Sequence, residues 1–291
     1  MSIVITTPTG NIGRVVVEKL LEAGEEVAVL ARHPEKLSAS VRERVTVHEG
    51  DLSDEAFVAR ATQGAEALFW LTPPSFTEPD WKALFERSAR IGSNAVRANQ
   101  IPYVVHVSSA GAHQTEGLGP VSHLHIIENA LAETGASVLQ LRPGFFYENF
   151  LPQREAILNQ GALYEPFGPE TTYPLIATYD IGVVAAQRLR ERASWPSGST
   201  ILGLHGPAPT PSFGEAARIL GEAIGRPVQF VQVPIEAVTD QFRQMGASES
   251  VIQGYAELLT GVGRGAQPAE PRTPETTTPT TLLEWAKRTL A

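Results

Sequence analysis

The chain has 291 residues, of which 42% are hydrophobic and 19% are charged. This composition is typical of a globular protein, and the length allows one large α/β core or a core with a smaller lobe. The formal net charge of −9 argues against nucleic acid or an anionic membrane as the main partner, because both favour a basic protein face.

The first predicted elements are a buried strand, a glycine turn and a helix within residues 3–21. The strand is a short β-branched apolar run, and Ile12, Val15, Val16 and Leu20 recur after the turn at helical spacing. Free N–H groups and the dipole at the start of such a helix favour an anion, and a nucleotide pyrophosphate is the usual one. The residues expected to contact the nucleotide here are Thr7, Thr9, Gly10, Asn11, Ile12 and Gly13.

The glycine pattern of this turn departs from the dinucleotide-binding fingerprint at its first position, where Thr7 replaces glycine. Pro8 is expected to push Thr7 toward extended backbone angles, and it removes one N–H donor. A glycine turn can also serve only to pack a helix closely against a strand. The turn alone does not decide between these two interpretations.

Strands and helices continue to alternate through the first half of the chain. Apolar strands separated by helices predict a doubly wound parallel α/β sheet covered on both faces, with its ligand beyond the carboxyl ends of the strands. Strands are predicted at residues 26–31, 45–48, 65–71, 102–107 and 138–141, and helices at 54–62, from a capping box at 77–80 to about 99, and at 121–133.

The second half is less regular and is expected to be mostly helical. We therefore predict a nucleotide-binding domain at residues 1–150 and a smaller substrate-side lobe at residues 151–291, from which some segments return to the sheet. Helices are predicted at 151–160, 180–192, 212–224, 234–245, 248–259 and 281–290, strands at 199–204 and 228–233, and a loop rich in Pro, Thr and Gly at 263–281.

Two cations follow the second strand, where an acidic residue would otherwise bind the ribose hydroxyls of NAD. Arg32 and Lys36 lie at this position, and Arg14 is expected nearby. Because a guanidinium matches a phosphate group in shape and charge, these residues predict a site for the 2′-phosphate of NADP. The alternative is that they are solvated surface charges.

The next three strand ends carry further candidate cofactor contacts. After the third strand, Asp51, followed by Leu52, either accepts a hydrogen bond from an adenine amino group or caps the next helix. Thr72 and Pro73, after the fourth strand, either lie beside the ribose and nicotinamide or only stiffen the end of the strand. Ser108 follows the fifth strand.

The segments at residues 7–13, 31–36, 50–52, 107–111 and 141–150 together resemble an atypical short-chain dehydrogenase/reductase of the NmrA-like group. That group includes NADPH-dependent quinone and triphenylmethane-dye reductases, and also nucleotide-sensing regulators. The resemblance covers nearly the whole chain. It implies a Rossmann-like fold and a nicotinamide cofactor, with NADP(H) preferred and NAD(H) possible.

The chain departs from most short-chain dehydrogenases in its proton-transfer residues. Between Tyr103 and Tyr147 it has no Tyr and no Lys, so the usual Tyr/Lys pair is missing from its expected helix. We expect His125 to relay a proton instead, because Glu128 lies one turn away on the same helix face. Tyr147 is a second candidate proton donor. The alternative for His125 is a packed residue near a helix start.

An aromatic segment follows the sixth strand and is expected to line the substrate pocket. The residues predicted there are Phe145, Phe146, Tyr147 and Asn149, although aromatic residues at such spacing are more often core. Arg142, just before them, is expected to pair with a carboxylate in a structural role.

These observations predict an NADP(H)-dependent oxidoreductase that transfers hydride to a conjugated small molecule such as a quinone or a dye. A non-catalytic NADP(H) sensor that acts through a protein partner is the alternative, and the missing Tyr/Lys pair favours it. Sugar-nucleotide epimerisation is disfavoured because that chemistry needs the Tyr base. The expected partner is a small-molecule substrate, with no nucleic acid or membrane partner, and a homodimer is possible.

The absence of cysteine excludes disulfides, thiolate metal sites and cysteine nucleophiles. The scattered histidines show no metal-ligand spacing, so no metal site is expected. We see neither a signal peptide nor an apolar run near the ~18 residues of a membrane span. The expected location is therefore the cytoplasm.

Overall fold

A computed structural model of the protein describes residues 2–291. The strands among these residues are β1 (Ile3–Thr6), β2 (Val27–Ala31), β3 (Thr46–Glu49), β4 (Ala67–Trp70), β5 (Tyr103–Val107), β6 (Ser137–Pro143), β7 (Phe145–Phe146), β8 (Ala162–Glu165), β9 (Leu175–Ile176), β10 (Ser199–Leu204) and β11 (Gln229–Gln232). The α-helices are α1 (Asn11–Glu22), α2 (Ala39–Arg42), α3 (Glu55–Ala61), α4 (Trp81–Asn99), α5 (Pro120–Ala132), α6 (Thr178–Arg190), α7 (Phe213–Ile224), α8 (Ile235–Gln244), α9 (Glu249–Gly263) and α10 (Leu282–Thr289).

Seven strands form one sheet in the order β10-β6-β5-β4-β1-β2-β3, and every neighbouring pair in it is parallel. Ile5, in the middle of β1, pairs with Val29 on one side and with Phe69 on the other. The glycine turn therefore leaves the sheet from an interior strand. The predicted doubly wound parallel sheet is confirmed.

Helices cover both faces of this sheet. Helices α1 and α6 pack together on one face, and α3, α4 and α5 lie on the other. Gly182 of α6 permits the close packing of α6 on α1, because a Cβ at residue 182 would lie 2.6 Å from the Cβ of Val15. Two elements beyond residue 150, α6 and β10, thus belong to the seven-stranded sheet and its covering helices.

The remaining elements enclose a second core. Two short parallel pairs, β8 with β11 and β7 with β9, contribute to it. Helix α7 packs on β8 and β11, and α10 packs on α7. Phe150, Phe213 and Leu220 are fully buried there. The helix predicted at residues 151–160 is instead a 3₁₀ turn at Tyr147–Gln153 and a π turn at Ala156–Gln160. Pro152 accounts for part of this difference, because its nitrogen cannot donate an α-helical hydrogen bond.

Helix starts were predicted with mixed success. The capping box of Ser212 with Glu215 is present as predicted. The capping box predicted at residues 77–80 is wrong, because α4 starts three residues later. Its cap is Asp80, whose carboxylate accepts a hydrogen bond from the Ala83 N–H at 3.0 Å. The preceding segment is tied to the start of α9 instead, where the Ser248 N–H donates to the carbonyl of Phe76.

Glu165 of β8 is a buried carboxyl group whose titration should affect stability. It is 7% exposed and accepts a hydrogen bond from Gln153 Nε2 at 3.3 Å. Burial raises the pKa of Glu165 from 4.5 to about 8. Between these values the folded chain keeps a proton that the unfolded chain has lost. The free energy of unfolding should therefore fall as pH rises through this window, by up to about 1.4 kcal/mol per pH unit.

The variant Glu165→Gln keeps the shape of this side chain but removes its titration. We expect it to match the wild type near pH 4.5 and to be more stable at pH 8, by about 2 kcal/mol or more. Urea unfolding across this pH range measures the difference. Glu236→Gln on the exposed face of α8 is the control and should leave the slope unchanged. If the free energy of unfolding depends on pH in the same way for wild type and Glu165→Gln, the raised pKa of Glu165 is contradicted.

Candidate functional site

The turn after β1 has a backbone conformation that favours glycine. Thr7 has φ of +51°, in the left-handed region, and its carbonyl accepts a hydrogen bond from the Gly10 N–H at 3.0 Å. The expectation that Pro8 would hold Thr7 in an extended conformation is wrong. Closure of the turn by Gly10 outweighs the local steric bias of the proline, and glycine is the residue that meets least strain at such a position.

Gly13 brings α1 against this turn. A Cβ on Gly13 would lie 2.1 Å from the Thr7 carbonyl oxygen, so only glycine fits. Helix α1 starts from Gly10 with no side-chain cap and with no acidic residue in its first turn. Its first N–H groups therefore lack intrahelical partners and lie at the positive end of the helix dipole. This end of the helix suits an anionic ligand.

The side chains of the turn add polar groups next to these N–H groups. Thr7 Oγ1 is buried and has no hydrogen-bond partner among the described residues. Thr9, Gly10 and Asn11 are exposed, while Ile12 is buried under the helix. An incoming phosphate can therefore reach the turn, and an unpaired hydroxyl lies within it.

Arg32 and Asp51 face each other across the ends of β2 and β3. Arg32 Nη1 lies 3.6 Å from Asp51 Oδ2, and both side chains are about half exposed. Asp51 Oδ1 accepts from the Ser53 N–H at 2.8 Å, but the cap of α3 is Asp54, which accepts from Phe57. The capping role considered for Asp51 is therefore wrong, and its carboxylate closes a local turn beside Arg32.

A cavity of about 170 Å³ lies between the glycine turn and the segment after β2. Two cations line it, Arg14 from α1 and Lys36 from the turn that follows Arg32. Neither forms an ion pair with another residue in the described part of the chain. The full lining is Pro8, Thr9, Arg14, Val17, Glu18, Lys36, Leu37, Ser38 and Val41.

The end of β4 is fixed beside the glycine turn. The Thr6 hydroxyl donates to the Phe69 carbonyl at 3.0 Å, and it accepts from the Leu71 N–H at 2.9 Å. The Thr72 hydroxyl lies 2.6 Å from the Ser88 hydroxyl of α4, and Pro73 follows half-buried. The strand order therefore places Thr72 and Pro73 on the same sheet edge as the turn.

Ser108 lies at the end of β5, the neighbour of β4. It is 5% exposed, and its N–H donates to the Leu141 carbonyl at 2.7 Å. Leu52, after β3, is partly buried against the helix layer of α3, α4 and α5. The sequence-predicted cofactor residues thus all follow the carboxyl ends of adjacent strands.

His125 is partly buried on α5, and Glu128 does not orient it. The ring Nδ1 of His125 contacts the Ser122 carbonyl oxygen. Both oxygens of Glu128 are bound by Arg142, at 2.9 Å from Nε and 2.6 Å from Nη2. The expected pairing of His125 with Glu128 is therefore wrong, because Arg142 from the neighbouring strand takes the carboxylate.

Arg142 forms a buried three-residue ion cluster. Its Nη1 also donates to Glu270 Oε1 at 2.6 Å, and the Arg142 side chain is 6% exposed. Burial by itself would raise the pKa of the Glu128 carboxyl, but the hydrogen bonds and positive charge of Arg142, together with smaller contributions from Ser108 and His106, hold that pKa below its usual value. The expectation that Arg142 pairs with a carboxylate is confirmed. Glu270 carried no sequence signal, because it lies in a loop without periodicity.

Tyr147 is placed in the second core and not at an open site. It is 2% exposed, packs on Trp285 with ring centroids 5.8 Å apart, and donates from its hydroxyl to the Thr280 carbonyl at 3.2 Å. Burial raises the pKa of Tyr147. Neither a proton-donor role nor a pocket-wall role fits these contacts, so we do not propose Tyr147 as a catalytic residue.

The other residues expected in the substrate pocket are divided between core and surface. Phe145 packs against Phe150 and Phe213, each with ring centroids 5.5 Å apart. Phe146 packs against the sheet core, and Asn149 is exposed. Residues 145–149 therefore do not form a shared aromatic wall, and the core interpretation fits Phe145 and Phe146.

The described residues contain neither a candidate metal site nor a candidate membrane-spanning helix. No group of three or more His, Asp or Glu side chains there could hold a metal ion. No helix in residues 2–291 has the length and apolar composition needed to cross a membrane.

Comparisons with known proteins match this architecture. Residues 1–266 match the model of the NmrA-like family. An NAD(P)H azoreductase of Xenophilus azovorans is 29% identical over 260 residues, which span 88% of this chain and 85% of the azoreductase.

Two solved structures share the fold at a TM-score of 0.81. The NADPH-dependent quinone oxidoreductase of Escherichia coli, in complex with NADPH, has 22% sequence identity, and the likeness covers 99% of each chain. The triphenylmethane reductase of Citrobacter sp., in complex with NADP(H), has 20% identity, and all of both chains is covered.

Proposed function

Because the chain belongs to the NmrA-like family, we propose that it is an oxidoreductase that transfers hydride from NADPH to a conjugated small molecule of the quinone or dye type. The observation that carries the proposal is the turn from β1 into α1, with its uncapped helix start and unpaired Thr7 hydroxyl. The relatives named above are reductases of azo, quinone and triphenylmethane compounds. These acceptors share a conjugated system that can take up hydride.

The chain's own residues would bind and orient the cofactor. The N–H groups at the start of α1, together with Thr7 and Thr9, would hold the pyrophosphate. Asp51 and Leu52 would lie by the adenine, and Thr72, Pro73 and Ser108 by the ribose and nicotinamide. The bound nicotinamide supplies the hydride, while the protein positions it and excludes water.

His125 is our proposed proton relay. Its Nδ1 lies against a carbonyl oxygen, which can only accept a hydrogen bond, so Nδ1 carries the hydrogen. Nε2 is then the ring atom left to accept or donate a proton. A quinone needs one proton as well as the hydride to become a hydroquinone, whereas a carbocation-like dye needs hydride alone. The proposed relay therefore matters for quinones and not for such dyes.

We further propose that the cofactor is NADP(H) and that Arg14 and Lys36 hold its 2′-phosphate, with Arg32 at the rim. The double variant Arg14→Ala/Lys36→Ala should weaken NADPH binding by about 3–6 kcal/mol, if each cation contributes one charged hydrogen bond. NADH affinity should stay nearly unchanged. Calorimetric titration with both nucleotides measures this. Arg190→Ala, on an exposed part of α6, is the control. Equal losses for NADPH and NADH would contradict the assignment.

The proposed function is tested by following NADPH oxidation against a panel of quinones, azo dyes and triphenylmethane dyes. We expect turnover of at least one acceptor well above the rate without protein. The variant His125→Gln should slow quinones more than triphenylmethane dyes. If calorimetry detects NADPH binding but the protein accelerates no acceptor, the reductase proposal fails and the non-catalytic sensor replaces it.

A further inference from the structure

A second, larger cavity lies away from the glycine turn. It is an open groove of about 560 Å³ beyond the carboxyl end of the edge strand β10, between the loop that follows β10 and the segment at residues 270–280. Its volume lies within the range of small-molecule sites. None of the proposed cofactor residues lines it. The lining is Pro207, Ala208, Arg272, Thr273, Pro274, Thr277, Thr278 and Pro279.

Arg272 is the one charged residue in this lining, and it lacks an acidic partner. Its Nη1 donates to the Gly206 carbonyl, and its Nη2 donates to the Thr210 hydroxyl at 2.6 Å. Both acceptors are neutral, and no carboxylate among the described residues pairs with it. By contrast, the buried Arg142 and the partly buried Arg192 each pair with two glutamates. Arg272 is therefore a half-buried cation whose charge the protein does not neutralise.

The other groups that line the groove are apolar or already hydrogen-bonded. The Thr277 hydroxyl donates to the Thr273 carbonyl at 2.7 Å, and the Thr278 hydroxyl donates to the His205 carbonyl at 3.1 Å. The Thr273 hydroxyl donates to Glu275, at 2.7 Å. The remaining wall consists of Ala208 and the rings of three prolines. The groove thus presents one cation beside an apolar surface.

The segment that forms one side of the groove is firmly attached. The Thr278 N–H donates to the His205 carbonyl at 2.8 Å, and the His205 N–H donates to the Thr276 carbonyl at 2.9 Å. Thr280 donates to the buried Asp180 from its N–H at 2.9 Å and from its hydroxyl at 2.7 Å. The groove is therefore formed before a ligand arrives, which lowers the entropic cost of binding.

We propose that this groove binds a small organic acid, meaning an apolar molecule with one carboxylate. The free N–H groups of Arg272 take the carboxylate, because a guanidinium matches its planar shape. The apolar body lies against Ala208 and the prolines. A phosphate ester fits less well, since the threonine hydroxyls that would satisfy its additional oxygens are already engaged.

Ligand-observed NMR with benzoate, in the presence of saturating NADPH, tests this proposal. Benzyl alcohol is the neutral probe of similar shape. We expect benzoate to bind in the millimolar range and benzyl alcohol about tenfold more weakly, because it lacks the charged hydrogen bonds. Arg272→Gln should lose about tenfold in benzoate affinity.

Two further variants keep the hydrogen bonds of Arg272 intact. Ala208→Leu fills the groove and should also weaken benzoate binding by about tenfold, through steric exclusion. Ala23→Leu, at another exposed position, after α1, should leave the benzoate affinity unchanged. Absence of benzoate binding to the wild type would overturn the proposal. Equal binding by wild type, Arg272→Gln and Ala208→Leu would overturn it as well, because the probe would then lie elsewhere.

Discussion

The variant Glu128→Ala should lower the free energy of unfolding by about 3 kcal/mol or more, because it leaves Arg142 buried with only part of its charge compensated. Arg142 is 6% exposed and currently donates two hydrogen bonds to Glu128 and one to Glu270. After the substitution only Glu270 remains as an acidic partner. Urea unfolding at neutral pH measures the loss.

The effect of Glu128→Ala should also depend on pH. Since the pKa of Glu128 is lowered in the folded chain, its contribution to stability is fully present above its unfolded value of 4.5 and is lost as pH falls through its folded value. The difference in unfolding free energy between wild type and Glu128→Ala should therefore become smaller below pH 4.5.

Glu86→Ala is the matched control for Glu128→Ala. Glu86 pairs with Lys82 on the exposed face of α4, so removing it should cost about 0.5 kcal/mol or less. A loss for Glu128→Ala as small as that for Glu86→Ala would show that the buried cluster does not stabilise the fold.

The sheet was predictable because its signals are local. A β-branched apolar run such as residues 3–5 indicates a buried strand from its own residue types. The glycine turn that follows is formed by contacts among residues close in sequence, such as Gly13 with Thr7. Short strands such as β7 and β9 were missed, because two residues carry no periodicity. Their pairing depends on contacts between segments about 30 residues apart.

The candidate site was less predictable, because its details depend on distant contacts. Helical spacing suggested that Glu128 would orient His125, but the sequence could not show that Arg142 binds both oxygens of that carboxylate. Similarly, Phe145 was expected at a pocket, yet its ring packs on Phe213 from a helix far along the chain. At Thr7 the sterics of the following proline predicted an extended backbone, but the hydrogen bond from the Gly10 N–H to the Thr7 carbonyl outweighed them.

The variant Gly13→Ala should abolish most nucleotide binding. A Cβ at this position would lie 2.1 Å from the Thr7 carbonyl oxygen, so α1 and the turn must move apart. If two hydrogen bonds to phosphate are lost, at about 1.5–3 kcal/mol each, NADPH affinity should fall at least 100-fold. The displaced backbone should also lower the free energy of unfolding by about 1–3 kcal/mol.

Gly10→Ala is the matched control, three residues earlier in the same turn. Gly10 has φ of −80°, and a Cβ there would meet the Thr7 carbonyl oxygen at 3.4 Å, an ordinary contact. The unfolding free energy of Gly10→Ala should therefore stay close to that of the wild type. Calorimetric titration with NADPH and urea unfolding compare the two variants. If Gly13→Ala binds NADPH as tightly as the wild type, the turn from β1 into α1 is a packing device and the nucleotide binds elsewhere.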